Sequence, residues 1–175
     1  MSSVKVAVQY AIYAISGDIV AGKLTKHACQ RFLDDLERDD WFFDVEAAQR
    51  ALDFFPTFVR HVKGKLAGEP YELSNWESFI LVNIFGFKHP ETDKRRFRTA
   101  YIEVARKNSK STFCSGIALY MTAFDSEGGA EVYSAATTRD QARIVFDDAK
   151  VMINKSPHLM RVFGVHKLNI HHVKS

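Results

Sequence analysis

The sequence predicts an α/β fold: part of a parallel sheet, preceded by a helical N-terminal region. Three observations point there. Phe97 to Val104 is rich in β-branched and aromatic residues and runs straight into a short polar loop. Lys110-Ser111-Thr112 ends that loop and opens a run through Phe124 in which Phe113, Ile117, Met121 and Phe124 fall near helical spacing, with Cys114 and Ala118 beside them. After a turn at Gly128-Gly129, Ala130 to Ala136 reads as a second strand. Strand, loop, helix, strand is a βαβ unit, whose strands are parallel and whose crossover is right-handed.

The elements before it follow in order. Residues up to about 70 read as helical, with no clear strand and no repeat. Thr25 is placed to cap a helix through Glu37 that sets Ala28, Phe32, Leu33 and Leu36 on one face. Asp44 is placed to cap another running to Phe55. Pro56 should kink or end it, because proline lacks an N–H and crowds the preceding turn. Gly64, Gly68 and Pro70 mark the best boundary, dividing the chain into a helical region, 1–70, and a domain holding the βαβ unit, 71–175. Ser74-Asn75-Trp76-Glu77 then satisfies the Ser-x-x-Glu capping box ahead of an apolar run through Phe87. Pro90 to Lys94 forms the loop into the first strand. Beyond the second strand, Thr137 or Thr138 caps a helix through about Lys155, with Ala142, Val145, Phe146, Ala149 and Ile153 as its buried stripe, and Ser156-Pro157 stops it. Leu159 to Val173 alternates weakly, as a further strand would. The tail shows no stop signal or polar cap, the pattern of a truncated reading frame or a cloned piece rather than of a natural domain end.

Composition sets bounds. A chain of 175 residues with 46% hydrophobic content supports one domain with a real core and is too short for two large ones. A net charge of +3 and a pI of about 8.8 permit contact with nucleic acid without arguing for it. The basic run Lys88-His89, Lys94-Arg95-Arg96 and Arg98 is the best candidate patch, beside the plainer reading of a solvated loop. Cys29 and Cys114 lie in predicted helices and lack the spacing of a metal knuckle, so they read as reduced thiols. No apolar run reaches the roughly 20 residues that span a bilayer, and the N-terminus lacks a signal-like core, so a soluble, unexported protein is expected.

Arg106-Lys107-Asn108-Ser109-Lys110-Ser111-Thr112 carries the candidate chemistry. A phosphate-binding loop needs converging backbone N–H groups, a lysine for the β- and γ-phosphates, a Ser or Thr hydroxyl for Mg²⁺ and a helix N-terminus behind. Lys110 and Ser111 hold the last two positions of G-x-x-x-x-G-K-[ST], while Val104 and Ser109 replace its glycines. Lys110 is the candidate point charge, Ser111 the Mg²⁺ ligand, and Thr112 a donor to an α- or β-phosphate oxygen. Each has a plainer use, as surface lysine or helix cap. Ser109 is tolerable at negative φ, whereas positive φ costs it roughly 1–2 kcal/mol relative to glycine. Glu77 reads from its spacing as the carboxylate of the capping box. His158, His166, His171 and His172 tempt a metal reading, but adjacent His171 and His172 would face opposite sides of a strand.

Taken together, these residues resemble the large subunit of tailed-phage terminases, in the branch whose loop reads Arg-Lys-Asn-Gly-Lys-Ser. Ala28 to Leu36, Phe79 to Gly86, and Ala130 to Thr137 leading into Asp140-Gln141-Ala142-Arg143 extend the likeness over most of the chain. The resemblance implies a P-loop NTPase fold and an ATP-binding part of a DNA-packaging motor, with ATP and Mg²⁺ as cofactors. By the same resemblance Arg106 is the catalytic residue that senses or stabilises γ-phosphate charge, Lys107 and Asn108 line the loop, and Trp76-Glu77 sits where the family contacts adenine, usually with glutamine at the second position. The implied partners are double-stranded DNA, a terminase small subunit, a portal and further copies of the motor, in the cytoplasm of a host carrying a virus or prophage. The family's acidic Walker B segment and its nuclease carboxylates would lie beyond residue 175, so turnover by this chain alone is not expected. A helicase-type P-loop ATPase and a nonhydrolytic interaction module are the alternatives.

Overall fold

The computed structural model describes residues 3–173, which form two compact units, Met1–Asp53 with Glu72–Ile102, and Phe54–Tyr71 with Glu103–Ser175.

In the first unit α1 (Val4–Ser16) packs against α2 (Lys23–Leu36) and α4 (Asn75–Gly86). Ala7, Ala11 and Ala14 are fully buried, and their small side chains at helical spacing let the neighbouring helices come close. The second helix starts at Lys23 with Gly22 as its cap residue, three residues ahead of the expected cap Thr25. Asp44 does cap α3 (Val45–Phe58), accepting the Ala47 N–H at 2.8 Å. Pro56 lies inside that helix rather than ending it, because only two further helical residues follow, so little of the ladder is lost. Its first turns belong to this unit, and from Phe54 onward to the other.

The capping box forms as expected: Glu77 Oε2 accepts from the Ser74 N–H at 2.9 Å and from the Ser74 hydroxyl at 2.7 Å. Two short strands, β1 (Phe42–Phe43) and β2 (Phe87–Lys88), pair antiparallel with Phe43 opposite Phe87. A side chain at Gly86 would put its Cβ 2.4 Å from Phe43 Cε2, so only glycine allows this approach. Phe32 centres the core, edge-on to Phe43, Phe79 and Phe87 with ring centroids 6.3, 5.4 and 5.8 Å away.

The basic run is partly spent on this structure. Lys88 Nζ sits 2.9 Å from Asp44 Oδ2 and 3.1 Å from Asp93 Oδ1. Arg96 turns inward, Nη1 2.7 Å from buried Asp35 Oδ2, with its guanidinium 4.8 Å from the Phe97 ring and 5.2 Å from Trp41. That pair is close but not aligned as a hydrogen bond, so it acts through charge alone. Arg31 approaches the same carboxylate at 3.6 Å and donates to Asn83 Oδ1 at 2.9 Å.

In the second unit α5 (Lys110–Ala123) packs on α6 (Arg139–Lys155), which Thr138 caps through the Gln141 N–H at 3.3 Å. Ser156-Pro157 stops α6 and opens a short α7 (Pro157–Val162), proline taking the first turn where its missing N–H costs nothing. The expected strand over 159–173 is instead α7 followed by an antiparallel hairpin of β3 (Phe163–Val165) and β4 (Ile170–His172), closed by the His166 N–H on the Asn169 carbonyl at 2.9 Å. The turn-forming Lys167-Leu168-Asn169 carries none of the usual glycine signals that would have betrayed the hairpin.

The fold is thus a mixture of helices and short strands. Both sheets among the described residues are two-stranded and antiparallel, and the expected parallel pairing of 97–104 with 130–136 is not formed. Both segments run without a ladder; Tyr101 is 85% and Tyr133 81% exposed. A strand is defined by a partner for its backbone groups, and a βαβ pattern read along one chain does not say which strand supplies it.

Candidate functional site

The loop from Arg106 to Thr112 is one turn feeding the head of α5. Asn108 Nδ2 donates to the Ala105 carbonyl at 3.3 Å, holding the turn, and the Ser109 carbonyl accepts the Phe113 N–H at 2.9 Å to start the helix. Two residues take left-handed backbone: Lys107 at φ 70° and Ser109 at φ 52°. Asn108 between them does not, and alternating handedness of this kind curls successive N–H groups toward one concave side. The positive φ of Ser109 places it in the strained case set out above. Left-handed Lys107 left no sequence signal, since lysine has no preference for that region.

The electrostatics run against ordinary helix design. α3, α4 and α6 each carry an acid in the first turn, Glu46, Glu77 and Asp140. α5 opens on Lys110 with no acid in its first turn and no side-chain cap bond from Ser109. α1 and α2 also lack side-chain caps. Only at α5 does this coincide with a left-handed cap residue and with three exposed cations, Arg106, Lys107 and Lys110, none paired with an acid among the described residues. Cations repel the positive end of the helix dipole, whereas an anion there would be stabilised by the dipole, the orphan N–H groups of the first turn and the three charges together.

Behind the loop the helix is anchored. Ser115 Oγ lies 2.7 Å from the Ser111 carbonyl and 2.8 Å from the Val145 carbonyl of α6. Phe113 is buried against Phe55, ring centroids 5.5 Å apart. Gly116 admits the Phe55 ring, a Cβ there falling 2.5 Å from Cε1. The hydroxyls of Ser111 and Thr112 are half-buried and engage no partner among the described residues. Burial pushes the Cys114 thiol up, although Lys110 draws it down, so it stays protonated rather than nucleophilic.

Arg106 through Thr112 are therefore brought together by one turn. Trp76 and Glu77 belong to the other unit, where Trp76 is half-exposed on the first turn of α4 and Glu77 is 4% exposed and bonded to Ser74. His166 and His171 stack with centroids 5.1 Å apart, and no group of three or more His, Cys, Asp or Glu among the described residues is arranged to hold a metal. No helix among them is long and apolar enough to cross a membrane.

The chain is a mixture of helices and short strands in which a cationic loop with two left-handed residues leads into the head of α5. Comparison with known proteins is more specific. The family model for the terminase large subunit, ATPase domain, matches residues 75–175. The terminase large subunit of Enterobacteria phage HK97 is 29% identical over 118 residues, which cover 67% of this chain and 22% of that protein. The crystal structure of the HK97 bacteriophage large terminase shares the fold, with a TM-score of 0.59 at 22% identity over 71% of this chain and 25% of the other. The chain belongs to the terminase large subunit family, in its ATPase domain. It spans about a fifth of the length of that curated relative.

Proposed function

We propose that this chain is the ATP-binding front of a phage DNA-packaging motor, with residues 71–175 forming the first part of a P-loop ATPase domain behind a helical region, 1–70. The observation that carries the reading is the loop at 106–112: two left-handed residues, three unpaired cations and two unengaged hydroxyls at an anchored helix head, inside the stretch matched by the ATPase-domain family. The residues fit a nucleotide's phosphates. Lys110 holds the β- and γ-oxygens, the Lys107 to Thr112 N–H groups cradle them, and Thr112 donates a further bond. Arg106 offsets γ-phosphate charge, and Asn108 keeps the turn closed. Ser111 would supply one hydroxyl oxygen to Mg²⁺. A bound Mg²⁺ would supply positive charge against the phosphate oxygens.

In this reading the extended segments 97–104 and 130–136 are strands of a parallel P-loop sheet completed by further chain, which their exposure without a ladder supports. The intact motor would drive double-stranded DNA into a procapsid in the host cytoplasm, working with a small subunit, a portal and further copies of itself. Calorimetry with ATP·Mg²⁺ tests the site. Lys110→Ala removes one or two charge-assisted bonds of roughly 1.5–3 kcal/mol each, so affinity falls at least about tenfold. Unchanged affinity in a folded variant overturns the assignment.

A further inference from the structure

We infer that Ser115 is a positioning residue of the phosphate loop: its buried hydroxyl, held between the Ser111 carbonyl of α5 and the Val145 carbonyl of α6, fixes the direction in which the Thr112 N–H leaves the helix head. This rests on the phosphate-loop reading above and names the group that keeps one donor of that loop aimed.

A peptide unit is planar, so the Ser111 carbonyl and the Thr112 N–H point in opposite directions from one rigid plate. Whatever holds the carbonyl aims the N–H. Thr112 is the third residue of α5, and its N–H has no partner among the described residues, since the first bond into the helix runs from the Phe113 N–H to the Ser109 carbonyl at 2.9 Å. It is the last free donor of the helix head. Behind it, Ser115 Oγ lies 2.7 Å from the Ser111 carbonyl and 2.8 Å from the Val145 carbonyl, and the residue is fully buried, so no water competes for either oxygen. The hydroxyl has one proton, which the two carbonyls share. A back-bond to residue i−4 alone would tie the plate only to its own helix, free to tilt with it. The second acceptor ties it to a neighbouring helix as well. Thr122 shows the contrast: its hydroxyl donates to the Ala118 carbonyl at 2.7 Å, the same back-bond on the same helix, and among the described residues it reaches no other carbonyl.

The experiment is calorimetry and amide NMR on the full chain, with inorganic tripolyphosphate as the probe, comparing the parent, Ser115→Ala and Thr122→Ala. Tripolyphosphate should bind Ser115→Ala about fivefold more weakly than the parent, and Thr122→Ala within about twofold of it. Loading the parent should move the Thr112 amide proton downfield, and saturating Ser115→Ala should move it less than half as far, a signature that a plain loss of stability would not produce. Should Ser115→Ala not fold, Ser115→Cys, which keeps the volume and donates only weakly, carries the same expectation; failure of both to fold makes Ser115 a core residue and overturns the inference. An affinity or a Thr112 shift that is unchanged in the folded variant, or an equal loss in Thr122→Ala, overturns it too, while the phosphate site stands. A parent that does not bind tripolyphosphate removes the site and the inference with it.

Discussion

Ser109 is the residue where a single change should repay strain. Its φ of 52° and ψ of 16° put a β-carbon into the left-handed region, at a cost of roughly 1–2 kcal/mol that glycine does not bear. Glycine also adds about 0.4–1 kcal/mol of freedom to the unfolded chain, which opposes the gain. Ser109→Gly should therefore stabilise by a net amount of about 1 kcal/mol. In a chain of this size that is a rise in Tm of about 2–4 °C. The hydroxyl makes no cap bond, so its loss costs nothing directional. Ser109→Ala separates backbone from side chain: it keeps the β-carbon and drops only the hydroxyl, and should stay within about 0.5 kcal/mol of the parent. Thermal and urea unfolding of the three proteins provide the comparison. A glycine variant no more stable than the parent, or an alanine variant that gains as much as glycine, refutes the strain argument.

Gly116→Ala should destabilise by about 1–3 kcal/mol in urea unfolding, since its Cβ would sit 2.5 Å from the fully packed Phe55 ring. Burial alone would raise the Asp44 carboxyl, but the Ala47 N–H and the Lys88 ammonium outweigh it and hold its pKa below the usual range. Its charge thus contributes stability above the unfolded-state pKa of about 3.9, and that contribution is lost as pH falls through the lower folded value. Asp44→Asn keeps a good cap, so the parent should be the more stable of the two at pH 7 and the gap should narrow in urea titrations as pH falls below the unfolded-state value. Steady-state phosphate release by the purified chain with Mg²⁺ and DNA should stay at background and be insensitive to Lys110→Ala, because water positioning and an acidic metal partner are needed beyond a phosphate cradle; robust Lys110-dependent turnover would show that both already reside in this chain.

What was legible in the sequence was local. The caps at Asp44, Ser74 with Glu77, and Thr138 all form as read, because a capping bond spans three residues and its partners are fixed by spacing alone. The stop at Ser156-Pro157 succeeds for the same reason. Partners distant in sequence were not legible. Phe97 to Val104 has strand composition but no ladder, and nothing in its residues specifies the neighbour it requires. Arg96 read as surface charge because its counterion, Asp35, lies sixty-one positions away on α2. At the candidate site the residue types were legible and the backbone was not: the penalty at Ser109 was conditional on a φ that composition does not encode, and Lys107 carried no hint of its own.

The contrast with α3, α4 and α6 makes the loop informative. Where three helices pair acids with their N-termini, α5 places lysine there, adds arginine and another lysine upstream, and spends two left-handed non-glycine residues on the approach. Each left-handed residue costs roughly 1–2 kcal/mol, and cations at the positive end of a helix dipole add repulsion. Such strain persists only when surrounding structure over-determines it. That structure is present: Ser115 ties the first turn to α6, Phe113 is buried on Phe55, and Gly116 lets the ring close against the helix. A merely tolerated surface turn would relax toward right-handed backbone and capped ends, because nothing would oppose the change. Here a rigid back holds an unfavourable front, and a polyphosphate bearing several negative charges is the ligand that would turn each of these local costs into a contact.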